Sequence, residues 1–352
     1  MTEKDFQAVG VKITIDQSQA PSWVEIDAVE LVGLAESSGS GGSGQTPGSI
    51  SSAGFLWRLG GEKAFDTHGK FPALWGIDYD PINDVIYAAD AVSGIQVIDA
   101  QSMANPPEGQ QLGQFTHTEM RVPQDVKVDA EGKVYVAAWA SGKILVFAPM
   151  GGGEPLVSFG ERGTGDGQFG EFSPTYLAVG LDGRIYVNDS NKNQQGETYD
   201  RIQVFSPQGK WLKTINYSDD FFSPGGMDIG PDGNLYVVGF IGSKILKYSP
   251  SGNLLGELGE DAIRSVNGGA QGIALDGMGN IYLALWTGGL VKLDSTGTLL
   301  SQWGMPVQDG EQPWSEGYFY QPAGIAVTPD GSQVFFSDTS SKYTYLTAFT
   351  FK

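Results

Sequence analysis

Three short runs, "GIDYD" at 76–80, "DVKVD" at 125–129 and "GMDIG" at 226–230, put a charged side chain at the same step of an otherwise apolar stretch. The charges are Asp78, Lys127 and Asp228, and three sister runs carry Ala178, Ala274 and Ala326 there. Alanine is the packing solution for a crowded position, and a charge in such a place must be paired, hydrogen-bonded or bound to a ligand. One reading is an ion-paired or water-bridged polar cluster. The other is a site: Asp125 lies two residues ahead of Lys127, and Asp78, Asp125 and Asp228 together suit calcium, which takes about six to eight oxygen ligands. A cation held there would polarise a carbonyl for hydrolysis.

A second group is aromatic. Trp75 and Tyr176 stand just ahead of the charged runs and their sisters, while Trp139, Phe240 and Trp286 follow a second set of runs. These last three occur only in copies without an aspartate one residue earlier; the other copies carry Asp90, Asp189 and Asp338. Flat rings around an acidic mouth suit stacking on sugars or gripping the apolar side chains of a peptide, or they plug gaps between packed units. The insertion "QDGEQPWSEGYFYQP" adds Trp314, Tyr318, Phe319 and Tyr320 to that surface.

Composition removes several chemistries. With 41 acidic against 21 basic residues the net charge is -20, so nucleic acid and anionic membrane surfaces are poor partners. Zero cysteines exclude thiol nucleophiles, thiolate zinc sites and disulfides. No apolar run is long enough to insert in a bilayer, and the start "MTEKDFQAVG" lacks the apolar core of a signal peptide. No G-x-S-x-G elbow, H-E-x-x-H or phosphate loop occurs.

The elements that carry these residues repeat. The pattern apolar, Tyr, apolar follows a turn in "DVIYAAD", "GKVYVAA", "GRIYVND", "GNLYVVG" and "GNIYLAL", and "SQVFFSD" has Phe in its place. The aromatics Tyr87, Tyr135, Tyr186, Tyr236, Tyr282 and Phe335 lie 48, 51, 50, 46 and 53 residues apart. The third copy, "SPTYLAVGLDGRIYVNDSNKNQQGETYDRIQVFSPQGKWLKTI", reads as four short strands joined by Gly- and Pro-rich turns. Six units of four antiparallel strands predict an all-β, six-bladed β-propeller. The last copy holds only three strands, and "AGFLWRLGG" at 53–61 matches the fourth strands of other copies, so an N-terminal strand is expected to close the C-terminal blade and remove its exposed edges.

"GTGDGQFGEFSPTYLAVGLDGRIYVND" followed by "DRIQVFSPQGKWLKTI" resembles the NHL-repeat family of six-bladed propellers, over residues 50 to 352. The resemblance implies that ligands bind where strand-entry and strand-exit loops gather around the central channel, and that Asp189 holds its loop with Arg201 as partner. It does not imply an activity, because the family includes binding modules, lyases and lactonase-like relatives. Lyases of this kind that work through clustered channel histidines do not fit a chain with only His68 and His117, both expected in connections between blades.

Residues 1–34 contain two strand-like runs, "VKITID" and "WVEIDAVELVG", too few to bury a core of their own. They resemble the last two strands of a discoidin-like, galactose-binding β-sandwich, or form a hairpin on the propeller's side. Residues 35–49, "AESSGSGGSGQTPGS", read as a flexible Gly/Ser linker. The expected function is a non-catalytic, extracellular or cell-surface bacterial module that binds a glycan or peptide through Trp75, Trp139, Tyr176, Phe240 and Trp286. The alternatives are an assembly protein that self-associates through residues 1–34, and a calcium-dependent lactonase or hydrolase using Asp78, Asp125 and Asp228.

Overall fold

A computed structural model describes residues 6–8, 11–13 and 53–351, apart from 63–70, 102–108, 193–197, 218–221, 242–243, 267–268, 288, 307–317 and 341–342. The chain divides into two units, Met1–Thr46 and Pro47–Lys352. In the first, Phe6–Ala8 pairs antiparallel with Val11–Ile13. The run "WVEIDAVELVG" and the linker lie outside the described residues. The second unit is a six-bladed β-propeller of four-stranded antiparallel sheets, as the repeat period requires.

The innermost strands are Leu74–Asp80, Pro123–Val128, Leu177–Val179, Phe222–Ile229, Ala270–Leu275 and Pro322–Val327, each followed by its blade's second, third and fourth strands. The sixth blade takes its fourth strand from the other end of the chain: Ala53–Glu62 pairs with Tyr343–Phe351, from Tyr343 opposite Glu62 to Phe351 opposite Ala53. Trp57 anchors the closure. It is 1% exposed and its indole donates to the Ala100 carbonyl of blade one at 3.2 Å, so the closing strand also grips the neighbouring blade.

The repeated tyrosine has a shared physical role. Its ring packs between blades, and its hydroxyl reaches back to an aspartate of the hairpin before it: Tyr135 to Asp129 at 2.8 Å, Tyr236 to Asp232 and Tyr282 to Asp276 at 3.1 Å, Tyr87 to Asp80 at 3.5 Å. The same aspartates accept backbone N–H groups of their own turns, as Asp129 does from Glu131 and Lys133. One carboxylate therefore fixes both the turn and the strand that leaves it. Tyr186 sends its hydroxyl to the Pro250 carbonyl of the next blade instead. Phe335, with no hydroxyl to satisfy, stacks on Tyr79 and lies against Trp57.

At the axis the constraint is space. A Cβ on Gly272 would lie 2.3 Å from the Ala323 carbonyl oxygen, and one on Gly324 would lie 2.4 Å from that of Trp75. Glycine is needed because adjacent innermost strands approach backbone to backbone. Gly272→Ala is expected to lower stability by about 1–3 kcal/mol, the cost of overpacking a tight site. Gly113→Ala, where a Cβ meets nothing within 4 Å, should change it by less than about 0.5 kcal/mol. Urea midpoints of the two variants measure the difference.

Candidate functional site

Two residues break the glycine row of the innermost strands. Where Gly76, Gly226, Gly272 and Gly324 stand in four blades, blade two has Asp125 and blade three has Tyr176. Asp125 fits because its neighbour is bare: its Oδ1 lies 2.0 Å from the place a Cβ on Gly76 would occupy. Its Oδ2 accepts the Leu177 N–H of blade three at 2.9 Å. Asp78 accepts the Val128 N–H of blade two at 2.8 Å, and Asp228 accepts the Leu275 N–H of blade five at 2.9 Å. Each of the three carboxylates thus ties its own blade to the next.

Lys127 balances them. It is 6% exposed, and among the described residues its ammonium makes no hydrogen bond or close ion pair. Burial pulls its pKa down, but Asp78, Asp228 and Asp125 together outweigh that and hold the lysine charged. The carboxyls move the other way. Burial pushes Asp125 up to about 7 and Asp78 up to about 6, against the opposing pull of Lys127, and burial raises Asp228 as well. The cluster therefore takes up and releases protons near neutrality.

Above it, Trp75, Gln124, Asp125, Lys127, Tyr176 and Gln271 line a cavity of about 20 Å³ at the loop-entry mouth, with room for one water molecule. Gln271 Nε2 donates to the Tyr176 hydroxyl at 3.0 Å, bridging blades five and three across the channel. Burial raises Tyr176 to about 12, so it stays protonated, and with its oxygen accepting from Gln271 its own hydrogen is free to donate. The opposite mouth is a wider hollow of about 720 Å³, where Asp78 and Asp228 face Asp129, Glu131 and Asp182.

Of the five expected ligand-binding aromatics, the structure brings together Trp75 and Tyr176. Phe240 and Trp286 pack against each other, with ring centroids 6.2 Å apart at 81°. Trp139 lines a separate groove with Arg162, Phe169 and Phe172. Phe319 is 1% exposed and belongs to the core, edge-on to Phe336 and Phe349, so it adds nothing to a binding surface; Trp314 lies outside the described residues. The aspartates at the other exits are loop holders. Asp189, fully buried, accepts from Gly170 N at 2.8 Å, Arg201 Nε at 2.7 Å and Gln203 Nε2 at 3.0 Å. Asp90 accepts from Ala73 N, and Asp338 from Tyr320 N and Gln321 N.

The three carboxylates do not form a calcium-type donor set. Each spends an oxygen on a backbone N–H, Lys127 stands among them, and among the described residues no three His, Cys, Asp or Glu side chains are grouped to hold a metal. Three residues escaped the sequence reading. Gln271 stands at a strand entry that gave no sign of a role, while Asn188 and Ser337 occupy a second-strand position where Ala89, Ala137, Val238 and Ala284 stand in other blades. A polar residue in an otherwise apolar column was the available signal.

No family model and no curated protein sequence matches the chain. Solved structures do. A Bacteroides thetaiotaomicron protein of unknown function is 18% identical, covering 85% of this chain and 76% of its own, with a TM-score of 0.60. A gluconolactonase of Xanthomonas campestris is 17% identical over 86% of this chain and 96% of its own, with a TM-score of 0.54. A streptogramin B lyase is 15% identical over 81% and 96%, with a TM-score of 0.51. At these identities the likeness establishes the six-bladed fold. It also corrects the expectation of a non-catalytic glycan- or peptide-binding module: the characterised neighbours are enzymes, and the aromatic residues on which that expectation stood are dispersed over three places.

Proposed function

We propose that this propeller is a hydrolase that opens a small cyclic ester, a lactone, at the loop-entry mouth of its channel. The observation that carries the proposal is a water-sized cavity lined by two buried, oppositely charged side chains that do not touch, Asp125 and Lys127. A water held there is within the reach of a carboxylate whose pKa, about 7, suits a general base. The gluconolactonase of the same fold supports the choice of substrate class. Kinship with the NHL-repeat propellers is part of the same proposal and rests on the third-blade motif.

The chemistry needs only this chain's residues and water. Asp125 takes a proton from the water as its oxygen attacks the ester carbonyl carbon. The developing oxyanion is stabilised by the Tyr176 hydroxyl, free to donate, and by the Lys127 charge in a site of low dielectric. The acyl C–O bond then breaks, and the proton held by Asp125 passes to the departing alkoxide oxygen, leaving a hydroxy acid. Trp75 and Tyr176 flank the mouth where the ring of the substrate would lie. No step is routed through calcium, because the donor set does not suit it.

Three outcomes are expected. Activity towards simple lactones should rise with pH through about 7, because Asp125 must be unprotonated to act as base, and Asp125→Asn should lower kcat about 100-fold or more. Lys127→Met should move that midpoint upward, since the lysine holds the Asp125 carboxyl down. Rates with calcium and with a chelator should be equal; a strict calcium requirement would defeat the mechanism.

Stability should run opposite to activity. Asp125 and Asp78 titrate near 7 and 6 in the folded chain against about 3.9 when unfolded. Folding therefore favours the protonated forms, and their contribution is full below about pH 4 and lost as pH rises through 6 to 7. Tm should fall over that window, and Asp125→Asn should flatten the fall. A Tm that climbs from pH 4 to 7 in the wild type would contradict the raised carboxyls.

A further inference from the structure

We propose that Ser337 and Asn188 are positioning residues that hold Trp75 and Tyr176 at the channel mouth and thereby set the size of substrate admitted. The proposal rests on the hydrolase reading for its kinetic consequence, but not for its structural one.

Both residues sit two places after the repeated aromatic of their blade, a position that is apolar in the other four blades. Both are buried, Ser337 at 0% and Asn188 at 1% exposure, so each hydroxyl or amide group requires a partner inside the protein. The Ser337 hydroxyl finds its partners on the Trp75 and Gly324 peptides, and the Asn188 side chain finds its own on Thr175, the residue before Tyr176, and on Tyr217. Ser337 Oγ donates to the Trp75 carbonyl at 2.6 Å and accepts the Gly324 N–H at 2.8 Å, so one hydroxyl joins blade six to the entry of blade one. Asn188 donates its backbone N–H to the Tyr176 carbonyl at 2.9 Å and its Nδ2 to Thr175 Oγ1 at 3.1 Å, and its Oδ1 accepts the Tyr217 hydroxyl at 3.0 Å.

The placement is selective. A hydrogen bond needed only to stiffen the blades would serve in any of the six, yet these two polar side chains occur where an entry loop carries a large ring. Trp75 is followed at once by Gly76, whose missing side chain makes room for Asp125, so a shift of the Trp75 peptide alters both the wall of the mouth and the seat of the base. The Tyr176 ring is restrained at its hydroxyl by Gln271, while the Asn188 side chain fixes the preceding residue, Thr175; the bond from the Asn188 N–H to the Tyr176 carbonyl is a main-chain bond that any residue there would keep.

The test uses the full chain labelled with 5-fluorotryptophan, whose eight tryptophans are resolved by fluorine NMR, with Trp75→Phe assigning the Trp75 resonance. Ser337→Ala should shift or broaden that resonance while the others stay, and Ser337→Thr, which keeps the hydroxyl, should restore it. With 3-fluorotyrosine labelling, Asn188→Ala should likewise move the Tyr176 resonance, assigned by Tyr176→Phe. In lactone hydrolysis Ser337→Ala and Asn188→Ala should raise KM about tenfold, the equivalent of one hydrogen bond, with a smaller change in kcat and the same pH midpoint. An unmoved Trp75 resonance, or equal movement of all eight, overturns the proposal for Ser337; an unmoved Tyr176 resonance overturns it for Asn188. A wild type that hydrolyses no lactone refutes the function proposed above and leaves these assignments to be decided by the spectra, whereas an active wild type whose KM is unaltered in both variants removes their role in substrate selection.

Discussion

The structure depends on how six innermost strands share one axis. Strands that close together leave no room for side chains on their facing backbones, and glycine solves this for Gly76, Gly226, Gly272 and Gly324. Close approach has a second consequence: a short carboxylate on one strand can reach a backbone N–H of the next. Asp78, Asp125 and Asp228 do this at 2.8 to 2.9 Å, spanning neighbouring blades where no sheet hydrogen bond exists. A propeller blade is hydrogen-bonded within itself and merely packed against its neighbours, so these bonds supply directionality that packing between blades lacks. Ala53–Glu62 closes the ring by another route, pairing along a whole strand so that the third strand of the sixth blade is covered as in the other five.

The same geometry creates the electrostatics. Burying three carboxylates close to one another is unfavourable unless a cation stands nearby, and Lys127 fills that role from the innermost strand of blade two. One lysine cannot neutralise three carboxylates, which leaves protonation as the remaining way to lower the cost. Hence the upward displacement of Asp125 and Asp78 is a product of the architecture before it is a property of any active site. The proposed chemistry is placed at the carboxylate that also lines a cavity beneath a mouth flanked by rings. Asp189 shows the contrast: equally buried, it is answered directly by Arg201 and Gln203, and it holds a loop.

Much of this was legible in the chain. The period of about 50, the aromatic in each unit and the fourth strand displaced to residues 53–61 all follow from local pattern, because blades are locally hydrogen-bonded and their turns carry Gly and Asp at fixed offsets. The charged residues at the axis were legible too, as departures from Ala. Their partners were not. Val128, Leu177 and Leu275 act through backbone N–H groups, which leave no mark on residue identity, so three carboxylates without visible donors invited a metal. Phe319 was misread for a related reason. Its insertion looks solvent-facing by composition, yet the ring fills a gap among Phe336, Phe349 and Phe55 that only the packing of blade six reveals. Trp139, Phe240 and Trp286 share a position in the repeat, yet only Phe240 and Trp286, on neighbouring blades, meet in space, while Trp139 on blade two lines a separate groove.

In the proposed reaction Asp125 is a staple and a base at once, and these demands pull against each other. As a staple it holds blade three through Leu177 N–H and must stay seated; as a base it must accept a proton and release it in every turnover. The geometry reconciles them because a carboxylate oxygen has two lone pairs, and the backbone bonds from Val126 and Leu177 occupy one on each oxygen. Proton uptake then weakens the staple without removing it. The loss is limited by the neighbours: Asp125 Oδ1 is seated in the space a Gly76 side chain would fill, and Lys127 keeps its charge through the cycle because Asp78 and Asp228 also sustain it. A base placed on a mobile loop would titrate more freely, but each protonation would also move it. Building the base into the seam between two blades limits how freely it can titrate and keeps it in position, and a site with room for only one water has no tolerance for displacement.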